Sequence, residues 1–148
     1  MKLNLACGRD YMDGYINADI SYDVNADVVF DMTKGIPYPE NHFNEVIVNN
    51  ALTQIEKNID FVNTINDLWR ITKPKGSIFI RVPLATHECS FQDPMDCRRF
   101  TDQSFTYMQY NHRRYLQYGC HYGFKPFKVQ LLDNNVRQMT FKLCPKKD

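Results

Sequence analysis

The sequence contains no long hydrophobic run. Among its 148 residues the longest apolar stretches, such as residues 28–30 and 78–80, fall far below the roughly 20 residues that cross a bilayer. The segment Leu5-Ala6-Cys7 near the start is not preceded by the apolar region of roughly 7 to 15 residues that an export signal requires. We therefore expect a cytoplasmic protein without a membrane-spanning segment.

Paired cysteines and metal-binding histidine patterns are also missing. The five cysteines are an odd number without close-paired spacing, which argues against a disulfide framework and a zinc knuckle. The four histidines have no metal-ligand spacing, so we expect free thiols and no bound metal. A nucleophilic role for Cys7 requires a base and a positive setting, which the sequence does not show, and we expect a structural role instead. The cysteines are Cys7, Cys89, Cys97, Cys120 and Cys144.

A large excess of one charge is absent, since the net charge is only +1. This value does not favour a general nucleic-acid binder. The charges are nevertheless unevenly distributed. Residues 1–74 carry 6 basic and 11 acidic side chains, a net charge of −5, whereas residues 75–148 carry 12 and 6, a net charge of +6. The asymmetry predicts that the second half faces an anionic or polar partner.

Short strands alternate with turns in the first half of the chain. Residues 58–72 have apolar side chains at the spacing of an amphipathic helix. Residues 73–76, which include a proline and a glycine, are expected to end this helix. Residues 127–132 and 137–143 predict a closing antiparallel hairpin. The pattern predicts one α/β domain over residues 1–148, with a mostly parallel sheet and helices on both faces. The strands are predicted at residues 2–6, 16–20, 27–31, 45–49 and 77–82.

The turn after the first predicted strand has the composition of a nucleoside site. Gly8 lies at its apex, where the missing side chain lets a ligand approach the backbone. Eleven residues later Asp19 ends the second strand, where its carboxylate can accept hydrogen bonds from both ribose hydroxyls. We expect both residues at the carboxyl edge of the sheet, beside an adenosyl ligand. The alternative role for Asp19 is to cap the turn that follows it.

Several segments, taken in order, resemble the class I S-adenosylmethionine-dependent methyltransferases, specifically their short bacterial and phage members. The resemblance covers residues 2 to about 105 and rests on the ordered set. It implies a Rossmann-like fold, S-adenosylmethionine as cofactor, and methyl transfer to a small-molecule or glycan-like acceptor. The segments are Asn4-Leu5-Ala6-Cys7-Gly8, Gly14-Tyr15-Ile16-Asn17-Ala18-Asp19-Ile20, Asp27-Val28-Val29-Phe30-Asp31-Met32, residues 36–47, residues 68–76, and Arg98-Arg99-Phe100-Thr101 with Phe105.

The resemblance also implies how the first two strands would hold the cofactor. Ala6, Cys7 and Gly8 would line its methionine part through backbone groups, and Asp19 would bind its ribose. These four residues form the first half of the predicted cofactor site.

The third and fourth strands would complete that site. By resemblance, Asp31 would accept from the adenine amine, Met32 would lie against the ring, and Asn49 and Asn50 would stand beside the transferable methyl. Each has a simpler alternative: Asp31 can open a turn, Met32 can fill a gap in the core, and the two asparagines can satisfy backbone groups.

The sequence departs from the family pattern in two places. Only 11 residues separate Gly8 from Asp19, about half the usual interval, and Asp10 stands where a glycine is usual, so we expect the first helix to be truncated or absent. After the fourth strand the family commonly has a His and then Leu-Glu-His, where this chain has Asn50 and then residues 52–54. These replacements support a second hypothesis, a catalytically inactive binding module or partner subunit.

Five residues are candidates for catalysis and acceptor binding. His87 follows the fifth predicted strand, where a substrate arrives, and is a candidate base together with Asp96 and the methyl-side Asn50. Arg98 and Arg99 are candidates for binding an anionic group, because the guanidinium pairs with a carboxylate or phosphate through two hydrogen bonds. Alternatively, both arginines tie their loop to the acidic first half.

Two further functions are weaker. Residues 107–128 interleave aromatic and basic side chains, which can stack bases and contact phosphates, but these aromatics also suit an outer core with a solvated rim. A dinucleotide oxidoreductase needs a third glycine in the first turn, where Tyr11 stands.

Overall fold

The computed structural model describes residues 1–148 and contains one seven-stranded sheet. Its strands are β1 (Lys2–Leu5), β2 (Ile16–Asp19), β3 (Val28–Val29), β4 (Phe43–Asn49), β5 (Thr72–Pro83), β6 (Phe127–Asn134) and β7 (Gln138–Pro145). Their order across the sheet is β3-β2-β1-β4-β5-β7-β6. Strands β1 to β5 pair in parallel, while β7 runs antiparallel to both β5 and β6. This confirms the predicted mostly parallel sheet with a C-terminal antiparallel hairpin.

Helices are few in this structure. Helix α1 (Asn58–Ile71) connects β4 to β5, as the apolar spacing predicts, and α2 (Cys120–Tyr122) continues a π turn at Tyr115–Gly119. No helix is both long enough and apolar enough to cross a membrane. The remaining helical segments are 3₁₀ turns at Met32–Lys34, Leu52–Gln54, Glu88–Phe91 and Ser104–Met108.

One face of the sheet forms the hydrophobic core. Alternate residues of β4 and β5, such as Val48 and Ile80, are fully buried beneath Ile65 and Leu68 of α1. Phe105, from the 3₁₀ turn Ser104–Met108, packs against the β7 side chain Phe141, with 4.6 Å between the ring centroids. Twenty-four buried residues make up this single cluster, which joins α1 to Leu52 and to Phe105 and Met108 of two 3₁₀ turns.

The opposite face differs from the prediction of helices on both faces. It presents half-buried side chains that alternate with the core positions, including Ile47, Phe79, Arg81 and Lys142. Helix α1 is the one helix longer than five residues, and it packs on the core face. The second face therefore carries no long helix, which fits an antiparallel-type pattern of one buried and one solvated face.

The connection from β1 to β2 is a pinned loop rather than a helix, as expected from its length. Asn17 is fully buried; its side chain accepts from the backbone N–H of Met12 at 2.9 Å and from the Asn4 amide at 2.8 Å. The Asn4 amide also donates to the carbonyl of Asp10 at 2.8 Å. The carboxylate of Asp27 accepts the N–H of Asn17 at 2.8 Å. These side chains supply the order that a first helix would otherwise give.

Tyr15 extends this loop over the second face of the sheet. Its hydroxyl donates to the carboxylate of Glu45, and this bond raises the pKa of Tyr15 to about 12. The ammonium of Lys2 lies 5.2 Å from the centroid of the Tyr15 ring and 3.7 Å from the Glu45 carboxylate. Tyr15 thus covers part of the second face where β1 pairs with β4.

Strand β5 begins earlier than the sequence pattern predicts. Thr72 pairs with Phe43 directly after α1, and the next pair along β4 joins Glu45 to Ser77. Residues 73–76 thus form a bulge inside the strand. An added Cβ at Gly76 would lie 2.9 Å from the carbonyl oxygen of Asn44, so this close approach requires glycine.

Candidate functional site

A cavity of about 350 Å³ lies at the carboxyl ends of β1, β2 and β3 and beside the segment after β4. Parallel sheets place their ligands at this edge. Ala6, Asp19, Asp31 and Met32, all predicted from the sequence as cofactor residues, line it together. Its other lining residues are Leu5, Ile20, Phe30, Thr33, Ala51, Gln54, Ile55, Glu56, Lys57 and Asp60.

The turn at Gly8 and the carboxylate of Asp19 are directly connected. The backbone N–H of Gly8 donates to Asp19 Oδ2 at 2.7 Å, and that of Ser21 donates to Oδ1 at 3.0 Å. Asp19 thus caps the following turn and also lines the cavity, and each carboxylate oxygen keeps a lone pair for a further donor. Gly8 has a φ of +52°, and a Cβ there would meet nothing within 4 Å. The backbone is therefore open to a ligand at Gly8.

Two non-glycine residues turn the chain sharply at this edge. Ala6 follows β1 with a φ of +55°, and Asn50 follows β4 with a φ of +53°. A left-handed alanine is strained by an amount on the order of 1 kcal/mol, whereas asparagine tolerates the conformation better. Both residues line cavities, Ala6 the one described above and Asn50 a second. Strained residues of this kind cluster at functional sites.

Asp31 and Met32 occupy the β3 side of the cavity. Asp31 Oδ1 accepts from both the backbone N–H of Thr33 at 2.9 Å and its hydroxyl at 2.7 Å, so Asp31 caps the 3₁₀ turn Met32–Lys34. Met32 is half-buried and packs against the core while lining the cavity. The geometry is compatible with both the ligand roles and the simpler roles of these two residues.

Of the predicted cofactor residues, Cys7, Gly8 and Asn49 do not line this cavity. Cys7 is buried, and its thiol donates to the carbonyl of Gly8 at 3.6 Å. Burial, and then the negative charge of Asp19, raise the pKa of that thiol, which disfavours the thiolate that a nucleophile needs. Asn49 pairs with Arg81 and lies on the second face of the sheet. Any cofactor contact of Cys7 is thus through its backbone.

A second, polar cavity of about 620 Å³ lies at the carboxyl ends of β4 and β5 and at the tip of the β6–β7 hairpin. Asn50 and Asp96, two of the predicted catalytic residues, both line it. Asp96 Oδ1 accepts the hydroxyl of Thr53 at 2.7 Å. The other lining residues are Pro83, Cys89, Gln92, Asp93, Pro94, Asn135, Arg137 and Gln138.

The 3₁₀ turn Leu52–Gln54 separates the two cavities. Ala51 lines the first and its neighbour Asn50 the second. Gln54, from the wall of the first cavity, donates to the carboxylate of Asp93 in the second at 3.3 Å. A ligand in one cavity therefore lies close to a ligand in the other.

His87, the remaining predicted catalytic residue, lines neither of these cavities. Its Nδ1 accepts the backbone N–H of Cys89 at 3.1 Å and so caps the 3₁₀ turn Glu88–Phe91. The Nδ1 atom of His87 is therefore occupied by a hydrogen bond within its own turn.

Arg98 and Arg99 line a third, mostly apolar cavity of about 620 Å³ between α1 and α2. Arg98 donates to the carbonyl of Ile55 at 3.1 Å and to Asn58 Oδ1 at 3.0 Å, and its guanidinium lies 4.3 Å from the ring centroid of Phe61. Arg99 donates to the carbonyl of Asp96 at 3.0 Å. Burial lowers the pKa of Arg98. Arg98 thus joins the loop to the first half of the chain, whereas the Arg99 bond stays within the loop, and neither arginine lines the polar cavity.

Several lining residues escaped the sequence analysis. Ile20 and Phe30 lie at the carboxyl ends of two predicted strands, and Ala51 stands two residues after a third; listing the residues at the carboxyl end of each predicted strand would have found them. Arg137 lies in the hairpin turn, far along the chain from β4, and no motif marks it. Long-range packing alone brings it to the site.

The first cavity is acidic. Four carboxylates, from Asp19, Asp31, Glu56 and Asp60, line it against the single cation Lys57. Such a lining attracts a cationic ligand and repels one with several phosphates. No group of three or more His, Cys, Asp or Glu side chains is arranged to hold a metal ion.

The fold of this chain is similar to that of several solved structures, although no protein-family model and no curated protein matches its sequence. Among solved structures, the PH0226 protein of Pyrococcus horikoshii OT3 is 13% identical with a TM-score of 0.67, over 98% of this chain and 82% of that one. A SAM-dependent methyltransferase of Archaeoglobus fulgidus is 14% identical with a TM-score of 0.63, over 96% and 84%.

A further similar structure is the DhpI-SAH complex, which is 13% identical with a TM-score of 0.67, over 99% of this chain and 77% of that one. At such identities the similarity concerns the fold alone. The chain therefore has the fold of the S-adenosylmethionine-dependent methyltransferases.

Proposed function

We propose that the protein binds S-adenosylmethionine in the acidic cavity and transfers its methyl group to a small-molecule or glycan-like acceptor. The observation that carries this proposal is the convergence of the open Gly8 turn with Asp19 and Asp31 at the carboxyl edge of a methyltransferase-type sheet. Asp19 has lone pairs for the ribose, and Asp31 and Met32 line the side of the cavity nearest β3. The residues present fit the cofactor.

The charge of the cavity supports this cofactor over a dinucleotide. S-Adenosylmethionine carries a sulfonium and an ammonium, whereas NAD carries a pyrophosphate. Four carboxylates against Lys57 favour the cation. The first turn also lacks the glycine-rich backbone cradle that a pyrophosphate needs, since Tyr11 stands in its third position.

The strand order supports an acceptor site in the polar cavity. With adenine near β3 and ribose near β2, the methionine part lies toward β1, and the next strands in the sheet are β4 and β5. The polar cavity lies at the ends of those two strands and includes Asn50. The apolar cavity with Arg98 lies across the first turn of α1 from the acidic cavity.

Asp96 is the base that this geometry favours. The bound sulfonium makes the methyl group electrophilic, so the protein chiefly holds the acceptor in line with it. With S-adenosylmethionine bound, Asp96 would take the proton of an acceptor hydroxyl or amine as the methyl group passes from sulfur to the acceptor. The hydroxyl of Thr53 fixes Asp96 through Oδ1, and Oδ2 accepts no bond from the protein. Asn50, which lines the same cavity, orients the acceptor.

The cofactor assignment is tested by calorimetry with S-adenosylmethionine, its product S-adenosylhomocysteine (SAH) and NAD. We expect binding of the first two and much weaker binding of NAD. Asp19→Ala should weaken SAH binding about 10-fold to 150-fold, because charge-assisted hydrogen bonds are lost. Gly8→Arg should abolish binding in a folded protein. Asp13→Ala, an exposed carboxylate outside the cavity, is the control. Unchanged affinity with a lower melting temperature for Asp19→Ala would instead support a capping role alone.

The alternative function is an inactive binding module of the same fold. The position of His87 favours it, because its ring caps a turn and lines neither of the two cavities. The two functions differ in turnover. In a screen of sugars, small amines, nucleotides and peptides, methyl transfer should release SAH, and Asp96→Asn should lower kcat about 100-fold or more without changing SAH affinity. Tight SAH binding without turnover on any acceptor would identify the inactive module.

A further inference from the structure

Arg137 has a fixed backbone at the wall of the polar cavity. Its N–H donates to Asn135 Oδ1 at 2.9 Å, and its carbonyl accepts from the backbone N–H of Leu84 at 2.9 Å and from the thiol of Cys89 at 3.2 Å. These bonds tie the tip of the β6–β7 hairpin to the chain that follows β5. The starting point of the Arg137 side chain is therefore well defined.

The guanidinium of Arg137, by contrast, has no partner in the protein. The salt bridges of the structure join Lys2 to Glu45, Arg70 to Asp67 and Lys146 to Asp148, and the Arg137 side chain makes no hydrogen bond. Its five N–H donors are thus free at the wall of a cavity that lies next to the proposed methyl position.

The two acids of the same cavity are already engaged by other groups. Asp93 accepts from Gln54 through one oxygen and from the backbone N–H of Met95 through the other, at 2.9 Å. Asp96 accepts from Thr53. These neutral donors leave both carboxylates charged, so an oxyanion would be held by direct pairing with the Arg137 guanidinium and not by the net charge of the cavity. One oxygen of Asp96 remains free to accept a proton.

We propose that Arg137 binds an oxyanion, a carboxylate or phosphate, of the acceptor and so selects acidic small molecules. This inference rests on the proposed function. The acceptor is then bifunctional: its oxyanion pairs with the planar guanidinium, while its hydroxyl or amine faces Asp96 and the methyl group. A rigid fork that forms two parallel hydrogen bonds suits this task better than a lysine does.

The other arginines near the site are less suited to this role. Arg98 and Arg99 already donate hydrogen bonds to backbone carbonyls, and both line the apolar cavity. Arg81 lies on the second face of the sheet, beside Thr140 of β7. Arg137 is the arginine that lines the polar cavity.

The test is equilibrium binding of matched probes to the protein loaded with SAH. Calorimetry compares glucose with glucuronate and glucose 6-phosphate, and ethanolamine with phosphoethanolamine, so that carboxylate and phosphate are separated. We expect at least one acidic probe to bind about 10-fold to 100-fold more tightly than its neutral partner. Arg137→Gln should remove this difference, and Arg137→Lys should retain part of it. Arg113→Gln, which removes an exposed arginine outside the cavity, should leave it unchanged.

The outcomes separate this inference from the proposed function. Acidic probes that bind no better than neutral ones, or a preference that survives Arg137→Gln, contradict the inference while SAH binding upholds the cofactor site. The titrations are repeated without SAH. A preference that depends on Arg137 in a protein that binds no SAH supports the oxyanion site and contradicts the methyltransferase function.

Discussion

Asp27 anchors the loop between β1 and β2 through a carboxylate with a lowered pKa. The backbone N–H of Asn17 at 2.8 Å, followed by the Asn17 side-chain amide at 3.2 Å, favours the ionised form. A lowered pKa adds stability above the usual Asp pKa of about 4, and this stability is lost as the pH falls through the lower folded pKa. Acid should therefore loosen this loop.

Replacing Asp27 by Asn tests this contribution. We expect Asp27→Asn to be less stable than the parent at pH 7, and the gap in the free energy of unfolding to narrow as the pH falls from about 5 to 2. Urea unfolding measured at each pH gives the gap. Asp23→Asn, at an exposed position whose carboxylate makes no hydrogen bond, should show little pH-dependent difference. A gap for Asp27→Asn that is independent of pH would contradict the assignment.

At the scale of elements, the π turn Tyr115–Gly119 depends on a glycine. An added Cβ at Gly119 would lie 1.7 Å from the carbonyl oxygen of Tyr107, which is backbone and cannot rotate away. The φ of Gly119 is −59°, so space rather than dihedral preference demands the glycine. This contact fixes the turn against the 3₁₀ segment Ser104–Met108.

Gly119→Ala should therefore destabilise the protein by at least about 2 kcal/mol, since an overpacked contact forces backbone movement. Chemical denaturation measures the loss. Cys120→Ala, at the exposed next position, should change the free energy of unfolding by about 0.5 kcal/mol or less. Equal stability of the two variants would show that the turn moves away from Tyr107 without cost.

At the scale of the whole molecule, one buried face carries the stability. Ile80 of β5 is completely buried within the core, whereas Ile47 of the adjacent β4 is half-buried on the second face. We expect Ile80→Ala to cost roughly 2 to 5 kcal/mol and Ile47→Ala to cost about 1 kcal/mol or less. Urea unfolding compares the two. Similar losses that depend on protein concentration would mean that self-association covers the second face.

The one-sided sheet was partly visible in the sequence. In β7, buried Met139, Phe141 and Leu143 alternate with the more polar Thr140 and Lys142. Such alternation is typical of a sheet with one solvated face. The prediction of helices on both faces followed instead from the general rule for parallel sheets, which depends on connections long enough to form helices.

The connections of this chain are too short for that rule. The segment from Ala6 to Tyr15 gives β1 and β2 a loop held by buried asparagines instead of a helix. Its side-chain hydrogen bonds depend on strands that meet only in the folded sheet. Spacing therefore predicted the missing helix, while the bonding that replaces it emerged from tertiary structure.

The sequence by itself determined where the strands of the first half lie along the chain, helix α1 and the turn at Gly8, because local spacing and backbone freedom encode them. Only the tertiary structure decided which charged side chains reach the polar cavity. It brought Arg137 beside Asn50 and Asp96 and directed Arg98 and Arg99 to the apolar cavity. These positions depend on how β7 packs against β5, and no local pattern specifies a contact between segments so distant in the chain.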